Sequence, residues 1–274
     1  MNRSFKIALV LFVFLAGSAF AADAQPTGLE LGYRDMYNLQ FDKAHRQFQD
    51  WQRAHPSDPM GPVSDAAAYL FSEFDRLHIL ESQFFTNDDG FENRTRPNPD
   101  PAVRQVFVAQ IARTKQLSGA ALTKNPNDTN ALFASVLMLG LQGDYAALIE
   151  KKDMAGLAYL KDGRAMADRL LKLDPNCYDA YIAVGVENYL LSLKPAPIRW
   201  LLRFGGAQTD KDTGLKNLQL TAEKGHYLLP YARLLLAVAA LRDQDRGKAR
   251  TLLAGLASEF PLNHLYVHEL NQLQ

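Results

Sequence analysis

Apolar residues recur at helical spacing in short blocks that each stop at a proline. The clearest block runs from Pro230 to Leu241, turns through the polar residues 242–247, resumes from Lys248 to Phe260 and halts at Pro261. Two short amphipathic helices joined by a turn are predicted there, because proline cannot continue a helix and biases its predecessor away from helical angles. Residues 51–56, 121–126, 170–175 and 256–261 all end this way, with an apolar or aromatic residue five positions before the proline. Stepping back by threes and fours marks one buried stripe per helix: Ala44, Phe48 and Trp51 in the first, Ala249, Leu253 and Leu256 in the last. Recurrence at about 34 residues predicts a stacked, all-helical repeat, an architecture whose usual product is a binding surface.

The repeats are irregular. Residues 63–85 read as one long helix, and the polar stretch 86–101 separates it from a helix that begins near Ala102. Residues 143–175 have room for two helices, 145–153 and 155–173, and residues 194–206 form an insertion. Long loops inside compact domains are commonly functional, so these insertions are where individuality is expected. After Pro261, residues 262–273 suffice for one more helix, whose Leu265, Leu270 and Leu273 would cap the last repeat.

Leu31-Gly32 with Phe41, Ala44, Phe48 and Pro56, then Tyr181 with Val184-Gly185, and Gly143-Asp144-Tyr145 at a turn are the residues by which the chain resembles the tetratricopeptide repeat family. The resemblance covers most of residues 28–261. It implies an all-α solenoid of antiparallel helix pairs with a C-terminal capping helix, occupying residues 28–274, in which the first helix of each pair lines a concave groove. The groove positions it implies are Asn130, Phe133 and Leu137; Asp179, Ile182, Val186 and Tyr189; and Tyr231, Leu234, Val238 and Arg242. This wall is mainly apolar. The lysine and asparagine set with which some family members clamp a peptide carboxylate is missing at these places. Either the insertions fold into the groove and complete the core, or the groove is open and takes an apolar partner. Trp200, Leu201 and Leu202, beside Arg199 and Arg203, would then rim it; the segment from Ile198 to Phe204 could instead be a buried helix or touch a membrane surface.

Residues 1–21 change the setting. A short basic stretch containing Arg3 and Lys6, an apolar run from Ile7 to Ala16 and the small residues Ala19 and Ala21 predict a cleaved export signal, followed by a linker at 22–27. The run is interrupted by Gly17-Ser18, too short for a membrane anchor, and Ser18 stands where a lipidated cysteine would be needed. A periplasmic protein of a bacterial envelope is expected, a secreted one being the alternative, in which case Asn93-Arg94-Thr95 is a glycosylation acceptor. The full chain carries 30 basic and 30 acidic residues, and loss of Arg3 and Lys6 leaves the mature chain near neutrality. That argues against a nucleic-acid partner, which calls for a clustered basic excess. Cys177 is the only cysteine, so no intrachain disulfide forms, and a structural thiol near a helix start is the expected role.

Chemistry finds little support. His264 and His268 share one helix face, yet the zinc-protease motif fails because Leu270, Asn271 and Gln272 follow Glu269. Residues 87–92 lack the ligand spacing of a calcium loop, and Asp210 with Asp212 suits a helix N-terminus better than a metal-nucleotide site. No nucleophile elbow or phosphate-binding loop occurs. The sequence therefore points to a non-catalytic scaffold with no catalytic residue, metal or cofactor, binding a protein or peptide partner of the cell envelope. The alternative is a carrier or enzyme for a small apolar molecule, with a pocket lined by Phe133, Val186, Tyr189 and Trp200 and polar groups such as Glu187 or Arg199.

Overall fold

A computed structural model describes residues 26–81, 95–193 and 209–273. The expected signal segment, Trp200 and the segment from Ile198 to Phe204 lie outside these residues. Among the described residues there are eleven α-helices and no strand. They are α1 (Gly28–Tyr37), α2 (Phe41–Ala54), α3 (Met60–Arg76), α4 (Pro101–Lys124), α5 (Thr129–Asp144), α6 (Asp153–Leu173), α7 (Tyr181–Ser192), α8 (Lys211–Lys224), α9 (Leu229–Arg242), α10 (Arg246–Glu259) and α11 (His264–Asn271). Each helix packs against the one before it in the chain.

The recurring proline has a specific local job. The backbone N–H groups of Asp58, Asp128, Cys177 and Asn263 donate to the carbonyls three residues earlier, those of His55, Asn125, Asp174 and Phe260, at 3.0, 3.0, 3.2 and 3.0 Å. The second position of each turn is a proline, whose fixed φ suits it. The fourth residue then starts the next helix. Asp58 Oδ1 accepts from Met60 N at 3.0 Å, Asp128 Oδ1 from Ala131 N at 2.9 Å and Asn263 Oδ1 from Leu265 N at 3.0 Å. At three of the four turns the same four residues thus end one helix and bond the first turn of its successor, whereas Cys177 has no side-chain cap and leads into a 3-10 turn, Tyr178–Ala180.

The glycine of the Leu-Gly pair is explained by close approach. A Cβ on Gly32 would stand 2.3 Å from the Phe48 ring, so only glycine lets α1 lie this near α2. Gly185 repeats the arrangement against Leu218, where a Cβ would meet the side chain at 2.8 Å. Phe48 and Leu218, like Ala44, Leu253 and Leu256, are buried.

Two expectations about boundaries are corrected. The helix expected to run through residues 63–85 ends at Arg76, because His78 takes φ 57° and Ile79 N closes the end on the Phe74 carbonyl at 2.9 Å. Gly143-Asp144-Tyr145 is not a turn between helices. The helix α5 runs through Asp144 and adds a π turn, Tyr145–Ile149, in which Tyr145 stacks on Phe107 of α4 at 5.0 Å. The stretch Thr129–Ile149 has a mean hydropathy of 1.5, long and apolar enough to cross a membrane by composition, and 56% of it is buried within the helical core.

The largest apolar cluster joins both ends of the described chain, from Leu29 and Tyr33 in α1 to Phe260 and Tyr266 at the C-terminal end. A smaller one gathers Ile182, Tyr189, Leu218, Ala232 and Leu236 between α7, α8 and α9. The helix α11 packs against α10, and its Leu265 and Tyr266 also face Met36 and Tyr37 of α1.

Candidate functional site

The positions expected to line a groove fall into three environments. Asn130 is exposed at the start of α5, and its Nδ2 donates to Asp58 Oδ1 at 2.8 Å. The same carboxylate accepts from Trp51 Nε1 at 2.8 Å, so Asn130 ties the first proline turn to α5. Phe133 is buried and stacks over Tyr227 with ring centroids 6.4 Å apart. Tyr231 meets Phe71 of α3 edge-on at 5.4 Å. Ile182 and Tyr189 belong to the smaller cluster, and a Cβ on Gly214 would come within 2.6 Å of the Tyr189 backbone nitrogen. Leu137, Val186, Leu234, Val238 and Arg242 remain half-buried. Phe133 and Tyr231 are thus brought to one place, whereas Tyr189 looks into a different core.

Asp179 is a structural clamp at the joint between α7 and α9. It is buried, and its carboxylate accepts three backbone N–H groups of the turn before α9: His226 at 2.9 Å, Tyr227 at 2.9 Å and Leu228 at 3.1 Å. Burial pushes its carboxyl above the ordinary range, and the three amides pull in the opposite direction. Gly225 makes room for it: a Cβ there would lie 2.5 Å from Asp179 Oδ1. The arrangement fixes Tyr227, which then reaches Phe133 and Tyr33.

Three further buried carboxylates hold helices together in the same manner. Asp65 on α3 sits 2.6 Å from His45 Nδ1 of α2 and accepts from Gln110 Nε2 of α4 at 2.8 Å, while the His45 ring lies on Tyr69 at 3.9 Å. Glu73 receives Arg76 through two bonds and the backbone N–H of Asp100 at 2.8 Å, which docks the start of α4 on α3. Glu187 on α7 meets Arg164 of α6 at 2.9 Å, and Arg164 also grips Asp168. Burial raises the Glu187 carboxyl, with Arg164 opposing it. Arg76 and Asp168 stand three and four residues from their partners; the other pairings were not legible from linear spacing, because those partners lie 20 to 49 residues apart.

Asp144 differs from these. It lies half-buried at the end of α5, burial pushes its carboxyl up to about 7, and its charge adds to the burial that raises the Tyr231 phenol. Cys177 is half-buried, with its thiol pushed up to about 11, first by burial. Among the described residues no three His, Cys, Asp or Glu side chains gather as a metal site. His268 Nε2 pairs with Gln272 at 2.7 Å, and His264 is exposed.

A cavity of about 30 Å³ lies between α1, α3, α9 and α11, lined by Tyr37, Leu39, Phe71, Tyr231, Leu265 and Tyr266 among others. Water-sized space of this order is about a tenth of what a small-molecule site requires. Compared with known proteins, the chain matches no family model and no curated protein.

Proposed function

We propose that the chain is an exported, tetratricopeptide-like solenoid that acts as a non-catalytic scaffold for a protein or peptide partner in the bacterial envelope. The observation that carries this reading is the use made of the buried acids: Asp65, Glu73, Asp179 and Glu187 each join one helix to another through bonded partners. Repeated proline turns and glycine contacts between successive helices support the repeat architecture. The partner surface is assigned to the expected groove positions that stay accessible, Asn130, Leu137, Val186 and Arg242. Export rests on the basic, apolar and small-residue pattern of residues 1–21.

Native mass spectrometry of the mature chain, tagged at its C-terminus and isolated gently from its host envelope, tests this. A protein or peptide bound at fixed stoichiometry, and lost in Val186→Asp and Arg242→Glu variants that keep the wild-type Tm, is the expected result. A chain that flies alone, or carries only a mass of a few hundred daltons, overturns the reading; the second outcome favours the small-molecule carrier.

A further inference from the structure

Residues 160 to 226 positions apart in sequence meet where the first helices touch the last. Tyr33 stacks at a tilt on Tyr227 with centroids 4.8 Å apart, Tyr37 on Phe260 at 5.5 Å, and Phe71 meets Tyr231 at 5.4 Å. Four polar contacts accompany the rings. Tyr37 Oη donates to the Tyr227 carbonyl at 2.9 Å, Asn263 Nδ2 to the Tyr37 carbonyl at 2.8 Å, and Leu262 N to Asn38 Oδ1 at 3.2 Å. His226 Nε2 lies 3.0 Å from Glu30 Oε1 at the solvent edge.

This seam is built differently from the glycine-lined joints between consecutive helices. Gly32, Gly61, Gly185 and Gly214 let neighbouring helices approach closely, whereas α1 meets the residues that flank α9 and α10 through the rings of Tyr33 and Tyr37. The seam is also imperfectly filled, since the cavity described above lies in it. Loss of dispersion contacts around a void and reliance on a few polar links make such a joint weaker than the packed ones.

We propose that the seam is a clasp: it opens while α5 and α6 stay folded, lets the short helices α1 and α11 and the start of α9 fray once undocked, and bares an aromatic face formed by Phe71, Phe133, Tyr227 and Tyr231. The clasp reading stands on the contacts between the chain ends alone and does not depend on what the scaffold binds.

Amide hydrogen exchange of the mature chain across a series of low urea concentrations tests the clasp. Amides at 29–38, 226–234 and 262–270 are expected to exchange through an opening with a shallower urea dependence than amides in α5 and α6, because less surface is exposed than in global unfolding. The double variant Tyr37→Phe, His226→Ala removes two seam contacts and leaves the Asp179 clamp, which holds only the His226 backbone, in place. It should speed exchange at the seam about tenfold or more while α5 and α6 are unchanged, tenfold being about 1.4 kcal/mol. If seam and core amides exchange with one common urea dependence, or if the double variant accelerates both equally or neither, the seam opens only by unfolding and the clasp is refuted.

Discussion

Asp144 occupies the last turn of α5, where burial raises its carboxyl to about 7. Its ordinary value in an unfolded chain is about 3.9, so both states hold the proton below about pH 4 and the group is neutral to folding there. Stability falls as pH rises towards 7, because the unfolded state releases the proton first, and the penalty is constant above that. Asp144→Asn should therefore gain about 1–2 kcal/mol at pH 8 and nothing at pH 4, a figure kept below the full shift because the residue is partly exposed. Urea midpoints for both proteins across that range check it, and parallel curves would refute it. Cys177 gives a chemical counterpart. With its thiol near 11, alkylation of the native chain at pH 8 should run about a hundredfold slower than that of a free thiol. Gln244 poses a backbone question, since it takes φ 61° at the end of α9 while Asp245 N closes on the Ala240 carbonyl. Gln244→Gly removes the left-handed penalty and should stabilise by about 0.5–1 kcal/mol after glycine's own entropy is counted; calorimetry decides, and a lower Tm would show that the side chain matters.

Single helices were the most legible features of the sequence, for reasons that the turns make clear. Pro126 followed two residues later by Asp128 ends α4 and caps α5 with bonds made within four residues, so a local reading finds the boundary. Asp144 and Tyr145 mislead the same reading, because a Gly-Asp-Tyr stretch that resembles a turn lies here inside an apolar run whose burial favours continued helix. Joints between elements were hidden altogether. Asp179 reads as one acid at a helix start, and nothing near it in sequence reveals that its bonding partners are the amides of residues 226–228. Replacing it leaves three amides without an acceptor at a buried turn. Asp179→Ala should cost about 3–5 kcal/mol and raise amide exchange at 226–232 first, whereas Asp179→Asn, which keeps one acceptor oxygen, should lose less. Equal losses in the two variants would show that the carboxylate acts through packing and not through those bonds.

Closure of the chain on itself belongs to the whole molecule and changes what the expected groove wall means. Tyr33 and Tyr37 stand four residues apart on α1, a spacing that signals a buried stripe but cannot say that the neighbour is Tyr227 or Phe260. Phe133 and Tyr231, two of the positions that the resemblance implies for a groove wall, meet Tyr227 and Phe71, while Leu137, Val186, Leu234, Val238 and Arg242 stay half-buried. Contact between the first and last described helices couples elements that, in an open repeat array, would feel only their neighbours. The helix α11 is the place to measure that coupling. It contributes Leu265 and Tyr266 to the seam and, through Asn263, holds the Tyr37 carbonyl at 2.8 Å. Ending the chain at Pro261 should therefore raise amide exchange in residues 29–38, more than two hundred positions away, by about tenfold while α5 and α6 keep their protection. If only α10 loses protection, α11 is a local cap and the two ends of the chain do not stabilise each other.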